Sequence, residues 1–144
     1  MIRIPRQLRG DICAEGEAAY PDECCGIMLG TVDAEGSRSV TELQPMRNAR
    51  ESGERYHRFR IEADDILRAE RSAAGNGLEI VGFYHSHPDN PAAPSDYDRE
   101  HALPWYAYVI VEVTQSRARR IRCWQLAGDR SRFLRERMHT LERE

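Results

Sequence analysis

The sequence predicts an α/β protein, a sheet with helices packed on it. Amphipathic helical stretches are interleaved with apolar strand-like runs. No repeat, low-complexity tract or long linker divides the 144 residues, so residues 1–144 read as one domain. With 40% hydrophobic and 31% charged residues, the chain is long enough and apolar enough to bury a real core.

Each element has its own signal. A helix is predicted over residues 5–20 on the stripe Ile4, Leu8, Ile12 and Ala19; Gly10 and Gly16 weaken it and Pro21 ends it. ECCGIMLG, from Glu23, reads as a buried strand, and SVTELQPM, from Ser39, as its hairpin partner after the turn DAEGS. NARESGERYHRF is polar and reads as an exposed loop, with His57 exposed in it. IEADDILRAERSAA is a second helix with Ile66, Leu67, Ala73 and Ala74 along one side, stopped by Gly75 and Gly77. LEIVGFYHSH is the next strand, followed by a proline-rich loop and a short helix from about Ser95. YAYVIVEV, from Tyr106, is almost continuously apolar or β-branched, which suits a central strand covered on both faces. Trp105 and Tyr106 before it read as core. RRIRCWQL is the last clear strand, and Phe133, Leu134, Met138 and Leu141 favour a helix for the tail from Ser131.

Composition narrows the function. A net charge of −3 and a pI of about 6.0 argue against nucleic acid as the main partner. No apolar run approaches a membrane span, and MIRIPRQLRGD lacks the apolar region of a signal peptide, so a cytoplasmic protein without a membrane partner is expected. All 21 basic residues are arginine, which genomic base composition explains most simply. Cys13, Cys24, Cys25 and Cys123 show no C-x-x-C spacing and read as buried reduced thiols, with Cys24 and Cys25 on opposite faces of a strand.

The chemistry concentrates in HSHPDNPAAPSDYD, His85 to Asp98. Residues i and i+2 of a strand share a face, so Val81, Phe83, His85 and His87 should line one side, apolar early and imidazole late. Two imidazoles at a strand end can converge on one metal. Zinc takes nitrogen ligands at ~2.0–2.1 Å, and a catalytic zinc keeps three protein ligands and a water. Asp98 is the nearest candidate for the third: Pro91 and Pro94 stiffen the loop, Ser95 opens a helix, and Asp98 lies about one turn on. S-x-x-D is also a capping pattern with Ser95 as N-cap, and the two roles are compatible. A metal-activated water needs a proton acceptor. Glu23 is the candidate, because the start of a buried strand is a costly place for a charge without a function.

Glu23 with CCGIMLG, then VGFYHSHP, then SDYD, resembles the JAMM (MPN-plus, Mov34-like) metalloprotease family. Its pattern is a glutamate, then H-[ST]-H-P, with seven residues from the second histidine to S-x-x-D; here Pro88 to Pro94 supply the seven. None of the five key positions departs from it. The resemblance implies a cytidine-deaminase-like fold with a mixed sheet and one Zn2+ on His85, His87 and Asp98. It also implies Glu23 as general acid/base and Ser95 as a donor to the oxyanion. Compact bacterial members with P-x-E-C-C-G near the start imply a peptidase for small ubiquitin-like sulfur-carrier proteins. Such an enzyme cuts after the carrier's C-terminal Gly-Gly, releasing cysteine, a short tail or an isopeptide-linked amine. The carrier's tail would lie along a strand edge by β-addition.

Four rivals remain, one of them a phage-tail or cell-wall peptidase, which no export signal supports. A non-catalytic MPN scaffold would have lost ligands that this chain keeps. A RadC-like DNA-associated protein would carry H-N-H-P-S-G where this chain has HSHPDN. A zinc deaminase would carry P-C-x-x-C, which is absent. Elsewhere, His101 reads as a helix-surface residue and His139 has no role. Arg117, Arg119, Arg120 and Arg122 read as a solvated hairpin surface, with a carrier-binding patch as the sharper alternative.

Overall fold

The computed structural model describes residues 1–48 and 63–142; most of the segment expected as an exposed loop, His57 included, lies outside them. The elements are β1 (Ile2–Pro5), α1 (Arg6–Ala19), β2 (Cys25–Val32), β3 (Arg38–Met46), α2 (Ala63–Gly75), β4 (Glu79–Pro88), α3 (Asp96–His101), β5 (Ala107–Thr114), β6 (Arg117–Leu126), β7 (Phe133–Glu136) and β8 (Met138–Leu141). They build one eight-stranded sheet in the order β7-β6-β5-β4-β2-β3-β1-β8. The sheet is mixed, as expected: β4 and β5 run parallel, as do β1 with β3 and with β8, and the other neighbours are antiparallel. Among the described residues no helix is long and apolar enough to cross a membrane.

Each face of the sheet carries a core. On the α1 face Ile12 packs with Ile2, Ile4, Met28, Val81, Tyr84, Val109 and Val111. On the other, Ala69 and Ala73 of α2 pack with Ile27, Leu29, Ile80, Phe83 and Tyr108. Residues Ile80 to Pro88 of β4 are all buried, because helices cover both sides of it. Burying each large aliphatic side chain contributes about 1.5–3 kcal/mol. In α2 the buried stripe is Ala69 and Ala73 with Ile66; Leu67 and Ala74, expected beside them, are exposed. Gly16 looked like a weak point of α1. It is instead the point where α1 presses on the sheet: a Cβ there would lie 3.0 Å from Val113 Cγ2 and 3.2 Å from Ser86 Cβ.

Three expectations fail for physical reasons. Residues 2–5 form a strand rather than the start of the helix stripe, because their backbone pairs with β3 and β8 and Ile2 and Ile4 fill the core from there. The tail is two strands, not a helix: β7 pairs with β6 and β8 with β1, so backbone pairing at both edges overrides its helix-like spacing. Trp105 is 48% exposed rather than core, with Arg38 stacked over its ring at 5.0 Å. Since Arg137 alone separates β7 from β8, the two edges of the sheet are drawn together, and the sheet wraps α1, which touches β1, β4, β5, β6 and β8.

Candidate metal centre

His85 and His87 end β4 on the face of α2 and α3, in line with Phe83. Val81 is not on that side, contrary to the simple alternation. A bulge between the Met28–Gly82 and Leu29–Ile80 pairs turns Val81 to the α1 core. Past the bulge the alternation is regular. His85 pairs in register with Cys25 on β2, so the segment entering β2 runs beside the histidines and carries Glu23 to them.

The polar atoms converge. His85 Nε2 lies 3.1 Å from His87 Nε2 and 3.4 Å from Asp98 Oδ2, and His87 Nε2 lies 3.1 Å from Asp98 Oδ2. Ligands ~2.0–2.1 Å from a tetrahedral centre stand roughly 3.3–3.4 Å apart, so these three atoms have the spacing of one face of such a tetrahedron. Glu23 belongs to the same group: one ligand atom each of Glu23, His85 and His87 lie within 4.8 Å of one another, and all three residues are buried.

Local contacts fix each group. The Nδ1–H of His87 donates to the Pro91 carbonyl at 2.8 Å, which leaves Nε2 as the acceptor facing the cluster. His85 is buried, and burial lowers its pKa, favouring the neutral ring that binds metals. Asp98 is set by the capping box of α3: its backbone N–H donates to Ser95 Oγ at 3.1 Å, and its Oδ2 accepts from Ser95 N at 2.9 Å. Ser95 is exposed, and its hydroxyl proton has no acceptor among the described residues. Glu23 is 5% exposed, and its Oε1 has no hydrogen-bond partner among the described residues. Burial first, and then the Asp98 charge, push its carboxyl up to about 9. A buried carboxylate facing two imidazoles and a second carboxylate is unfavourable unless a cation joins them, so the donor set fits a metal ion.

Several supporting residues carried no signal in the sequence pattern. Ser86, between the histidines, is fully buried on the opposite side; its Oγ accepts from Cys24 N at 2.8 Å and its N–H donates to Cys24 O at 3.2 Å, pinning the residue next to Glu23. Asn48 donates to the Glu23 carbonyl at 3.2 Å. The Trp124 indole N–H holds the loop at Ala92 O. Asp89, at φ 54°, turns the chain out of β4. The cysteines are free thiols as expected, Cys25 and Cys123 buried, Cys13 and Cys24 partly so. His101 is exposed and stacks on Tyr97, away from the cluster.

A mixed sheet whose strand end gathers two imidazoles and two carboxylates around one point defines a metal-competent hydrolase of the JAMM class. Comparison with known proteins agrees. The family model for prokaryotic homologs of the JAB domain matches residues 5–127, and the chain belongs to that family. It is 43% identical to a desampylase of Haloferax volcanii over 99 residues, 67% of each chain. It is 28% identical to a probable TtuB-protein conjugate cleaving protease of Thermus thermophilus, over 76% of this chain and 69% of that one. It is 34% identical to tail tip assembly protein K of Escherichia phage N15, over 66% of this chain but only 35% of that protein. Among solved structures, a Desulfitobacterium hafniense protein superposes with a TM-score of 0.85 at 25% identity, covering 99% of this chain and 94% of that one. A JAB1/MPN domain protein of Archaeoglobus fulgidus shares the fold, with a TM-score of 0.58 at 18% identity over 99% and 98%.

Proposed function

We propose that this protein is a zinc-dependent peptidase that hydrolyses the bond after the C-terminal Gly-Gly of a small ubiquitin-like protein. The observation that carries the reading is the triangle of His85, His87 and Asp98 with Glu23 buried beside it. The relatives named for removing or cleaving ubiquitin-like protein conjugates support the substrate class. His85, His87 and Asp98 would hold one zinc ion per chain. A zinc ion bound there supplies Lewis acidity, polarising a carbonyl and acidifying water.

The chain's own residues do the rest. Glu23, buried and facing the histidines, accepts a proton from the attacking water at its carboxylate and returns it to the leaving amine. The free Ser95 hydroxyl donates to the oxygen on which charge develops. His87, locked through Pro91, and Asp98, locked by its cap, keep the cluster from reorganising during the reaction. A Gly-Gly tail suits such a site because it brings no side chain to clash with the buried histidines. The substrate would be a sulfur-carrier protein of the cytoplasm, cut at a peptide or isopeptide bond to release cysteine, a short tail or a conjugated amine.

The test is purified protein incubated with carriers ending in Gly-Gly-Cys, Gly-Gly-Cys-Phe and a Gly-Gly-lysine isopeptide, read by intact mass beside metal analysis. Metal-dependent cleavage after the second glycine is expected. Glu23→Gln should lower it about 10^2–10^4-fold while keeping the metal. A zinc-loaded wild type inert on all three substrates would overturn the substrate class; a protein isolated without metal, and unable to take it up, would favour a scaffold.

A further inference from the structure

The register carries the site's face outward across the sheet. His85 pairs with Ile110 of β5, and Ile110 with Arg122 of β6, so these side chains stand in one row. The row before it is Phe83, Tyr108, Trp124 and Arg135, with Arg135 over the Trp124 ring at 5.8 Å. Strands lie about 4.8 Å apart, so Arg122 stands roughly 10 Å from His85. Further along β6, between the Val111–Ile121 and Val113–Ala118 pairs, two residues, Arg119 and Arg120, oppose the single Glu112 of β5. Arg117 follows.

Arg117, Arg119, Arg120 and Arg135 are exposed and Arg122 is half-buried. Among the described residues none of these five guanidinium groups has an ion pair or a hydrogen bond. The carboxylate nearest in register is Glu112, beside His87. Charges of one sign crowd this strip of a chain whose net charge is −3. The outer edge of β6 is paired by β7 only from Cys123 to Leu126; nearer the β5–β6 turn the Ala118 N–H donates to the Glu17 carboxylate of α1 at 2.8 Å. Guarding an edge against self-pairing needs a charge or two; five arginines, with only Glu112 in register and Glu17 at the Ala118 N–H beside them among the described residues, exceed that. The indole that bears Arg135 is the one that holds the site loop at Ala92, so the strip is joined to the rim of the site.

We propose that this arginine strip on β6 and β7 is the docking surface for an acidic face of the protein substrate. The proposal rests on the peptidase reading above. Guanidinium forks match carboxylates in pairs, and complementary charge steers the encounter. The negative charge elsewhere on the chain disfavours a long polyanion such as a nucleic acid.

Two ubiquitin-fold carriers with the same Gly-Gly tail serve as probes, one acidic and one basic on the face beside the tail. Binding to zinc-loaded Glu23→Gln protein is measured by titration calorimetry at low and high salt, with single-stranded DNA as a third probe. Tight, salt-sensitive binding of the acidic carrier alone is expected. The added pair Arg120→Glu and Arg122→Glu should weaken it about tenfold or more and allow the basic carrier to bind, with thermal stability and zinc content unchanged. That charge-swap rescue excludes a merely misfolded variant. Equal affinity for both carriers, unaltered binding by the charge-reversed variant, or tighter binding of DNA than of the acidic carrier would each overturn the proposal. Cleavage by the wild type is scored separately. Binding as expected without cleavage would remove the peptidase reading and leave the surface; cleavage without a charge effect would do the reverse.

Discussion

Tyr84 and Ser86 point from β4 towards α1, and His85 and His87 point from the same strand towards α2 and α3. The two pairs differ in how their polar atoms are satisfied. On the α1 side the Tyr84 hydroxyl donates to the Glu15 carboxylate, with its two oxygens at 2.9 and 2.8 Å, and Ser86 exchanges two hydrogen bonds with Cys24. On the other side three ligand-type atoms crowd within 3.1–3.4 Å and the Glu23 Oε1 lacks a partner among the described residues. One strand therefore separates support from chemistry, residue by residue. The satisfied side supplies the rigidity that holds the unsatisfied one in place.

Breaking the chemical side should have the largest effect. His87→Ala removes one corner of the triangle, and zinc affinity, followed with a competing chelator, should fall by more than about 100-fold with hydrolysis lost. If zinc stays bound as tightly, the ligand assignment is wrong. Effects on the supporting side should be smaller and fall on stability first. Gly16→Ala places a methyl 3.0–3.2 Å from Val113, Ser86 and Val111. Overpacking costs about 1–3 kcal/mol, and the ~1 kcal/mol that alanine gains over glycine in a helix offsets only part. Chemical denaturation should therefore show a net loss; a stabilised variant would mean that α1 is free to lift off the sheet.

Ser86→Ala sharpens the comparison, because it leaves the Cys24 N–H without its acceptor beside Glu23. A loss of about 1–3 kcal/mol in stability is expected, together with a lower kcat at unchanged zinc affinity. A change in zinc affinity without one in kcat would show that Ser86 serves the histidines rather than Glu23. Tyr84→Phe is the mildest: Glu15 is half-buried and regains water, so about 1 kcal/mol of stability and no change in zinc binding is expected from the same denaturation curves. A deeper loss would mean that the Tyr84–Glu15 bond anchors α1 itself.

The candidate site was legible because its residue types at that spacing are costly to bury for any other reason. H-x-H at a strand end and S-x-x-D at a helix start each fix geometry locally, and the structure brings His85, His87, Ser95 and Asp98 together with Glu23 as anticipated. What was not legible depends on long-range pairing. Val81 looks in phase with Phe83 until a bulge, which only the partner strand β2 reveals, turns it over. The tail's helical spacing is overridden by neighbours more than a hundred residues away in β1. Ser86 reads as a spacer between ligands, and its function emerges only once β2 is alongside.

The closure of the sheet by its last segment has a mechanical consequence. β1 and β8 are parallel neighbours, paired from Ile2 with Met138 to Pro5 with Leu141. Tension applied at residues 1 and 142 would pull these strands past one another along their length. Every bridge between them would then be loaded at once, rather than peeled one at a time. The fold is thereby built to resist being drawn open by tension at residues 1 and 142.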